Sequence, residues 1–272
     1  MRREGHADAV VPPGYTLAVE RPVLLLSNDD GYHSEGIQVL ADALERVGEV
    51  WIVAPDRENS AASHSLTLTR PLRMTRLAER RYVVDGTPTD CVTLGICQVL
   101  KDHTPDLVVS GINFGANMGD DVHYSGTVSA AFEAAILGVP ALAVSQVLGE
   151  SFSFVPAAHL AAVLARRVLD HGLPRGTLLN VNVPPGPSRG VRFTRLGQRR
   201  YTEGVIEDVD PRGNRCFWIG GGDPVWEPIP GTDFAAAGQG FTSITPLQLD
   251  MTDLVQLEQL RREGPSWDLE GV

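Results

Sequence analysis

The chain has 272 residues, 43% hydrophobic and 21% charged, with a formal net charge of −11 and a single lysine, Lys101. Such an acidic balance excludes a surface built to replace the counterions of a nucleic-acid polymer, and no apolar run approaches the roughly 20 residues of a membrane span. Residues 1–21 lack the apolar middle of a signal peptide, so they predict a loose leader on a cytoplasmic protein.

The first periodic signal is Val23-Leu24-Leu25-Leu26, an apolar run that breaks at Asn28-Asp29-Asp30-Gly31. Four apolar residues in a row predict a strand covered on both faces, and the break predicts a turn. From Glu35 the apolar positions Ile37, Leu40, Ala41, Leu44 and Val47 fall at helical spacing, with Gly48 as the expected C-terminal cap. Val50-Trp51-Ile52-Val53 then predicts a second strand, which makes a βαβ unit with the acidic pair at the carboxyl end of its first strand.

The stretch "APDRENSAASHSLTLTRPLRM" reads as a loop at the same sheet edge. Thr87-Pro88-Thr89-Asp90 predicts a capped helix start, running to about Leu100. Leu107-Val108-Val109 predicts a third buried strand, followed by a long loop rich in Gly, Asn and Asp, whose length points to function. Ser125-Gly126-Thr127 opens an alanine-rich helix ending at Gly138, and "PALAVS" and "LLNVNVP" flank a further helix as strands. Beyond Pro184, short runs such as "VRFTRL", "CFWIGG" and "FTSITPLQL" predict hairpins. The fold class expected is therefore α/β, a doubly wound, mostly parallel, Rossmann-like sheet with C-terminal β-hairpin extensions. Cys91, Cys97 and Cys216 lack metal-ligand spacing and read as reduced residues packed in a core.

Two adjacent carboxylates at a strand end repel each other, and a divalent cation removes the conflict. Asp29 and Asp30, completed by the neutral oxygens of Ser60 and Asn113, form a hard donor set suited to magnesium or manganese, whereas scattered histidines and misplaced cysteines disfavour zinc. The helix start after Tyr124 is a ready anion site, with Ser125, Gly126 and Thr127 as candidate phosphate contacts and Asn117 a weaker one in the same loop. A hard cation beside an anion-binding helix start suggests a phosphate ester. The expected chemistry is metal-assisted attack by water, with Asp29 or Asp30 as the catalytic group that takes the proton. His33, His64 and His123 lie in the same loops and read more simply as polar loop residues.

The motifs "LLLSNDDGYHSEGIQVLADAL", "VAPDRENSAASHSLTLTRPL", "GTPTDCV", "VVSGINFGANMGDDVHYSGTVSAAFEAA", "NVNVP" and "GTDFAAAGQGFTSITPL", in this order, resemble the SurE survival-protein family of metal-dependent phosphatases from about Pro22 to Thr252. The resemblance implies hydrolysis of nucleoside 5′-monophosphates, also of 3′-monophosphates and short polyphosphate, with one divalent metal ion per subunit. It implies metal ligands at Asp29, Asp30, Ser60 and Asn113, a phosphate site at Ser125-Gly126-Thr127, and a homodimer or tetramer joined by C-terminal arms. One domain from 22 to 272 follows from the same likeness, and the hairpin-like runs within about 191–240, which carry Phe193, Tyr201, Phe217, Trp218 and Trp226, predict the oligomerising arms. Ala61 departs from the pattern, since the family usually has glycine after the metal serine. The alternative is a magnesium-binding receiver-like signalling domain, which requires a lysine at a later strand end; Lys101 instead follows a helical stretch.

Overall fold

β1 (Val23–Ser27) is buried along its whole length, and its side chains alternate between two cores. Leu24 and Leu26 point into one with α1 (Glu35–Leu44) and α4 (Val155–His171), and Leu25 into the other with α2 (Pro88–Leu94) and α3 (Gly126–Ile136). Burying each of these leucines is worth about 1.5–3 kcal/mol, so the apolar run fixes both helical layers at once. The computed structural model describes residues 21–150, 152–200, 205–219, 225–227 and 229–263.

The remaining elements are β2 (Glu49–Pro55), β3 (Met74–Ala78), β4 (Arg81–Val84), β5 (Leu107–Phe114), β6 (Ala141–Gln146), β7 (Thr177–Val183), β8 (Val191–Phe193), β9 (Arg199–Arg200), β10 (Val205–Val209), β11 (Arg215–Ile219), β12 (Val225–Trp226), α5 (Asp233–Gly238), β13 (Thr242–Gln248) and α6 (Leu254–Glu263). The main sheet has the order β3-β4-β2-β1-β5-β6-β7-β13-β8. Its run from β4 to β7 is parallel throughout. The chain leaves β1 toward β2 and β4 on one side, then returns to lay β5, β6 and β7 on the other. The topological switch point, where open α/β sheets bind ligands, therefore lies between the carboxyl ends of β1 and β5. This is the doubly wound fold expected.

Several expectations need correction. The hairpin β3–β4 was not foreseen, because "MTRLAERRYVV" is largely exposed and lacks apolar alternation. "FTSITPLQL" is no hairpin: β13 pairs antiparallel with β7 inside the main sheet, and β8 pairs parallel with β13. Gly48 does not cap α1, which closes at Glu45; a Cβ on Gly48 would fall 2.2 Å from the Pro22 carbonyl oxygen, so it is close packing that requires the glycine. The α2 helix continues to Val99 only as a π-helical turn, which leaves Cys97 exposed; Cys91 alone of the three cysteines is buried. Arg21, the end of the expected leader, donates to the Glu45 carbonyl and to that of Gly48 at 2.7 Å, whereas residues 1–20 lie outside the described residues.

The antiparallel ribbon β10–β11 stands apart from the main sheet, and its side chains are largely exposed. Among the described residues, no helix is long and apolar enough to cross a membrane.

Candidate active site

Asn28 fixes the acidic turn. Fully buried, it donates from Nδ2 to the Gly31 carbonyl at 3.0 Å and to Ser34 Oγ at 2.8 Å, so it cross-braces the loop. Gly31 sits at φ +90, a conformation open to glycine, with the Arg57 backbone packed against the space a side chain would need. The loop after β2 closes on the same turn: the Asn59 amide donates to the Asp29 carbonyl at 2.7 Å, and that of Tyr32 to the Pro55 carbonyl at 2.9 Å.

The two carboxylates stand in different surroundings. Asp29 is 4% exposed and lies under the first turn of α3, where a Cβ on Gly126 would come within 2.7 Å of its own Cβ. The Thr127 hydroxyl donates to Asp29 Oδ1. Burial pushes the Asp29 carboxyl up from its ordinary value, and the Thr127 hydroxyl together with the Thr127 and Gly126 amides pulls the other way. Asp30 is half-buried and accepts from the Phe114 amide at 3.2 Å. Burial, then the neighbouring Asp29 charge and more weakly that of Glu58, push it up to about 6 against the Phe114 amide.

The segments that carry the four expected metal ligands are tied to this turn. Asn113 ends β5 beside Phe114, and its Nδ2 donates to the Gly115 carbonyl at 2.9 Å, which leaves the amide oxygen for a cation. Ser60 is exposed in the loop tied to Asp29, and its hydroxyl donates to Glu58 Oε1 at 2.8 Å. A hydroxyl whose proton is engaged keeps its lone pairs for a metal. Glu58, missed in the sequence because it reads as a loop charge, adds a more distant negative charge that acts weakly on Asp30. Among the described residues, no three His, Cys, Asp or Glu side chains form a ligand cluster. The residues present offer two carboxylates, Asp29 and Asp30, and the neutral oxygens of Ser60 and Asn113. A cluster of acids in which burial and mutual repulsion already oppose ionisation fits a hard divalent cation.

At the helix start, the candidate phosphate contacts also have partners within the protein. Ser125 is the N-cap: its Oγ accepts from the Val128 amide at 3.1 Å, and its carbonyl accepts from the Ser129 amide at 3.1 Å. The Gly126 and Thr127 amides lie near enough to Asp29 to draw its carboxyl down. Thr127 is 0% exposed, with its hydroxyl engaged by Asp29. Asn117 is buried in a network: its amide nitrogen donates to Ser145 Oγ at 2.9 Å, and its backbone exchanges bonds of 2.8 to 2.9 Å with the side chains of Asn180 and Asn182 on β7. The "NVN" motif therefore anchors the loop between β5 and α3.

Ala61 takes φ +59, and Ser63 φ +53. Alanine bears a steric cost there that glycine does not. Ala61→Gly is expected to stabilise the chain by up to about 1 kcal/mol, a rise in Tm of about 2–4 °C; an unchanged or lowered melting temperature contradicts this. Ser63 binds the neighbouring loop, its hydroxyl on the His123 carbonyl at 2.7 Å and its amide on the Tyr124 carbonyl at 3.1 Å. His64 pairs with Glu133 Oε2 at 2.9 Å, and Thr93 donates to the other Glu133 oxygen at 3.0 Å. His33 packs edge-on against Tyr32.

The family model for the survival protein SurE matches residues 24–203. The chain belongs to the SurE family. A 5′-nucleotidase SurE from Anaeromyxobacter sp. (strain Fw109-5) is 54% identical over 250 residues, which cover 91% of this chain and 96% of that one. The 5′-nucleotidase SurE of Geobacter sulfurreducens is 52% identical, covering 90% and 94%. The crystal structure of SurE protein from Aquifex aeolicus superposes with a TM-score of 0.79 at 42% identity, covering 89% of this chain and 100% of that one. The receiver-like alternative gains nothing: Lys101 is exposed in the turn before β5, at the opposite end of that strand from Asn113.

Proposed function

We propose that this chain is a divalent-metal-dependent phosphomonoesterase that hydrolyses nucleoside 5′-monophosphates, and also 3′-monophosphates and short polyphosphate, to release inorganic phosphate. The observation that carries the reading is the meeting of Asp29, Asp30, the Ser60 loop and Asn113 at the switch point beside the start of α3. The names of the relatives, 5′-nucleotidase SurE at 54% and 52% identity, support it.

Asp29, Asp30, Ser60 and Asn113 would hold one magnesium or manganese ion per subunit. When bound, that ion supplies Lewis acidity toward a phosphoryl oxygen and toward water. The chain's own residues do the rest. Thr127 and the first amides of α3 hold Asp29 as an oriented carboxylate. Asp30 has access to water where Asp29 is sealed, so we assign it the proton from the attacking water. Ser125 and Gly126 are the proposed phosphate contacts, whereas Thr127 acts through Asp29 and Asn117 through the loop it anchors.

The test is phosphate release from 5′-AMP, 3′-AMP and tripolyphosphate with manganese or magnesium added. Metal-dependent release from 5′-AMP is expected; release from none of the three contradicts the reading.

We further propose a dimer or tetramer of one-domain subunits, joined through the segment within about 191–240. Phe193 is 82% and Ile219 91% exposed, with Phe217 and Trp218 also open, which is more apolar surface than a solvated ribbon carries. Tyr201 and the Trp226 side chain lie outside the described residues. Light scattering at micromolar concentration is expected to give a multiple of the chain mass, reduced by the double change Phe217→Ser, Trp218→Ser. A monomer in the wild type contradicts it.

A further inference from the structure

Asp233 is a fully buried carboxylate far along the chain from every proposed ligand, and nothing in the reaction uses it. It stands at the first position of α5, capped by Thr232, yet its oxygens reach well beyond that helix. Oδ2 accepts from the Gly119 amide at 2.8 Å, and Oδ1 accepts from the Gly197 amide at 2.8 Å and from its own neighbour Phe234 at 2.9 Å. Three segments meet on one side chain: the loop between β5 and α3, the root of the ribbon arm, and α5. Burying a carboxylate is costly unless its oxygens are satisfied, so this geometry is a built junction and not an incidental contact.

The loop it grips is the one that runs from Asn113 to Ser125. From the sheet side, Asn180 and Asn182 hold it at Asn117. From the arm side, the Arg199 amide donates to Asp120 Oδ2 at 3.0 Å, and its guanidinium pairs with Asp121 Oδ1 at 2.5 Å, both groups only about a fifth exposed. Within five residues the loop is thus fastened to β7 on one side and to the arm root on the other. Both ends of the loop are site residues, so slack at its middle displaces them.

We infer that Asp233 is a positioning residue, which latches the loop between Asn113 and Ser125 to the root of the arm and so sets the placement of the proposed phosphate contacts. The kinetic part of this inference rests on the phosphomonoesterase reading; the latch itself does not. Asp233→Asn keeps the shape but turns one acceptor into a donor that faces a backbone amide. It is expected to lower kcat/KM for 5′-AMP by about tenfold or more, as a small misplacement caused far from the chemistry commonly does, and to weaken inhibition by inorganic phosphate in parallel. Val168→Ala, on the buried face of α4 near its C-terminal end, serves as the control for lost stability, and should leave both quantities near wild type at a temperature well below either melting point. Equal kinetics in the two variants overturns the assignment. Hydrogen exchange on the wild-type protein needs no variant and no substrate. The Gly119 amide is expected to be protected like the sheet core, and exchange there at the rate of an open loop overturns the latch whatever the protein hydrolyses.

Discussion

Asp30→Asn and Asp29→Asn are each expected to lower kcat by about a hundredfold or more, since even a partner one step removed from a metal commonly costs 10–100-fold. The chain should stay folded, and the metal-free stabilities separate the two positions. Asp30 is pushed up to about 6 from an ordinary 3.8. A carboxylate raised in the folded state favours folding while protonated, and loses that advantage as the pH climbs from its unfolded value through its folded one. Between about pH 4 and 6 the metal-free wild type therefore gives up stability that Asp30→Asn does not. The variant should melt near the wild type at pH 4 and above it at pH 7, and added manganese should raise the wild type more than the variant. At Asp29 the relief of repulsion is offset by the lost acceptor for Thr127 and the α3 amides, so no gain is expected. A variant that keeps full activity, or a metal-free Asp30→Asn that melts far below the wild type at pH 7, contradicts the assignment.

Thr127→Val is the second large effect. Valine fills the same buried space but removes the hydroxyl that orients Asp29. The sequence alone suggested that Thr127 binds phosphate, and hence that its loss spares metal affinity. The buried contact with Asp29 reverses this. Half-saturating manganese should rise about 10–100-fold, with kcat/KM recovered in part at high metal. Ser125→Ala behaves differently: it removes the cap on Val128, at a cost of about 1 kcal/mol, and weakens phosphate inhibition without moving metal affinity. Unchanged metal dependence in Thr127→Val, measured as activity against manganese concentration, contradicts the positioning role.

What the sequence disclosed follows from how each feature is encoded. β1, α1 and β2 carry their burial in local apolar periodicity, so the βαβ unit and the place of Asp29 and Asp30 were legible. Ser60 and Asn113 gave no periodic signal; they were legible only as neutral oxygens in loops at the same sheet edge, and the likeness to a family implies the same two. The partner of Thr127 was hidden because Asp29 lies 98 residues away, and a hydroxyl at a helix start reads equally as a cap or an anion contact. β13 looked like a hairpin strand because its antiparallel pairing with β7 is set by tertiary contact. Asp233 carries no local signal in the sequence; only the fold shows the amides of Gly119 and Gly197 converging on it.

The account stands most directly on one titration. Manganese is added to chelator-stripped protein with 5′-AMP present, and phosphate release is followed together with the heat of metal binding. The expected result is no release without metal, and activity that rises in step with occupancy of one site per subunit in the wild type, with both lost in Asp30→Asn. Release that persists in the stripped protein, or manganese binding that Asp30→Asn leaves unchanged, would contradict the assignment of the site at the switch point.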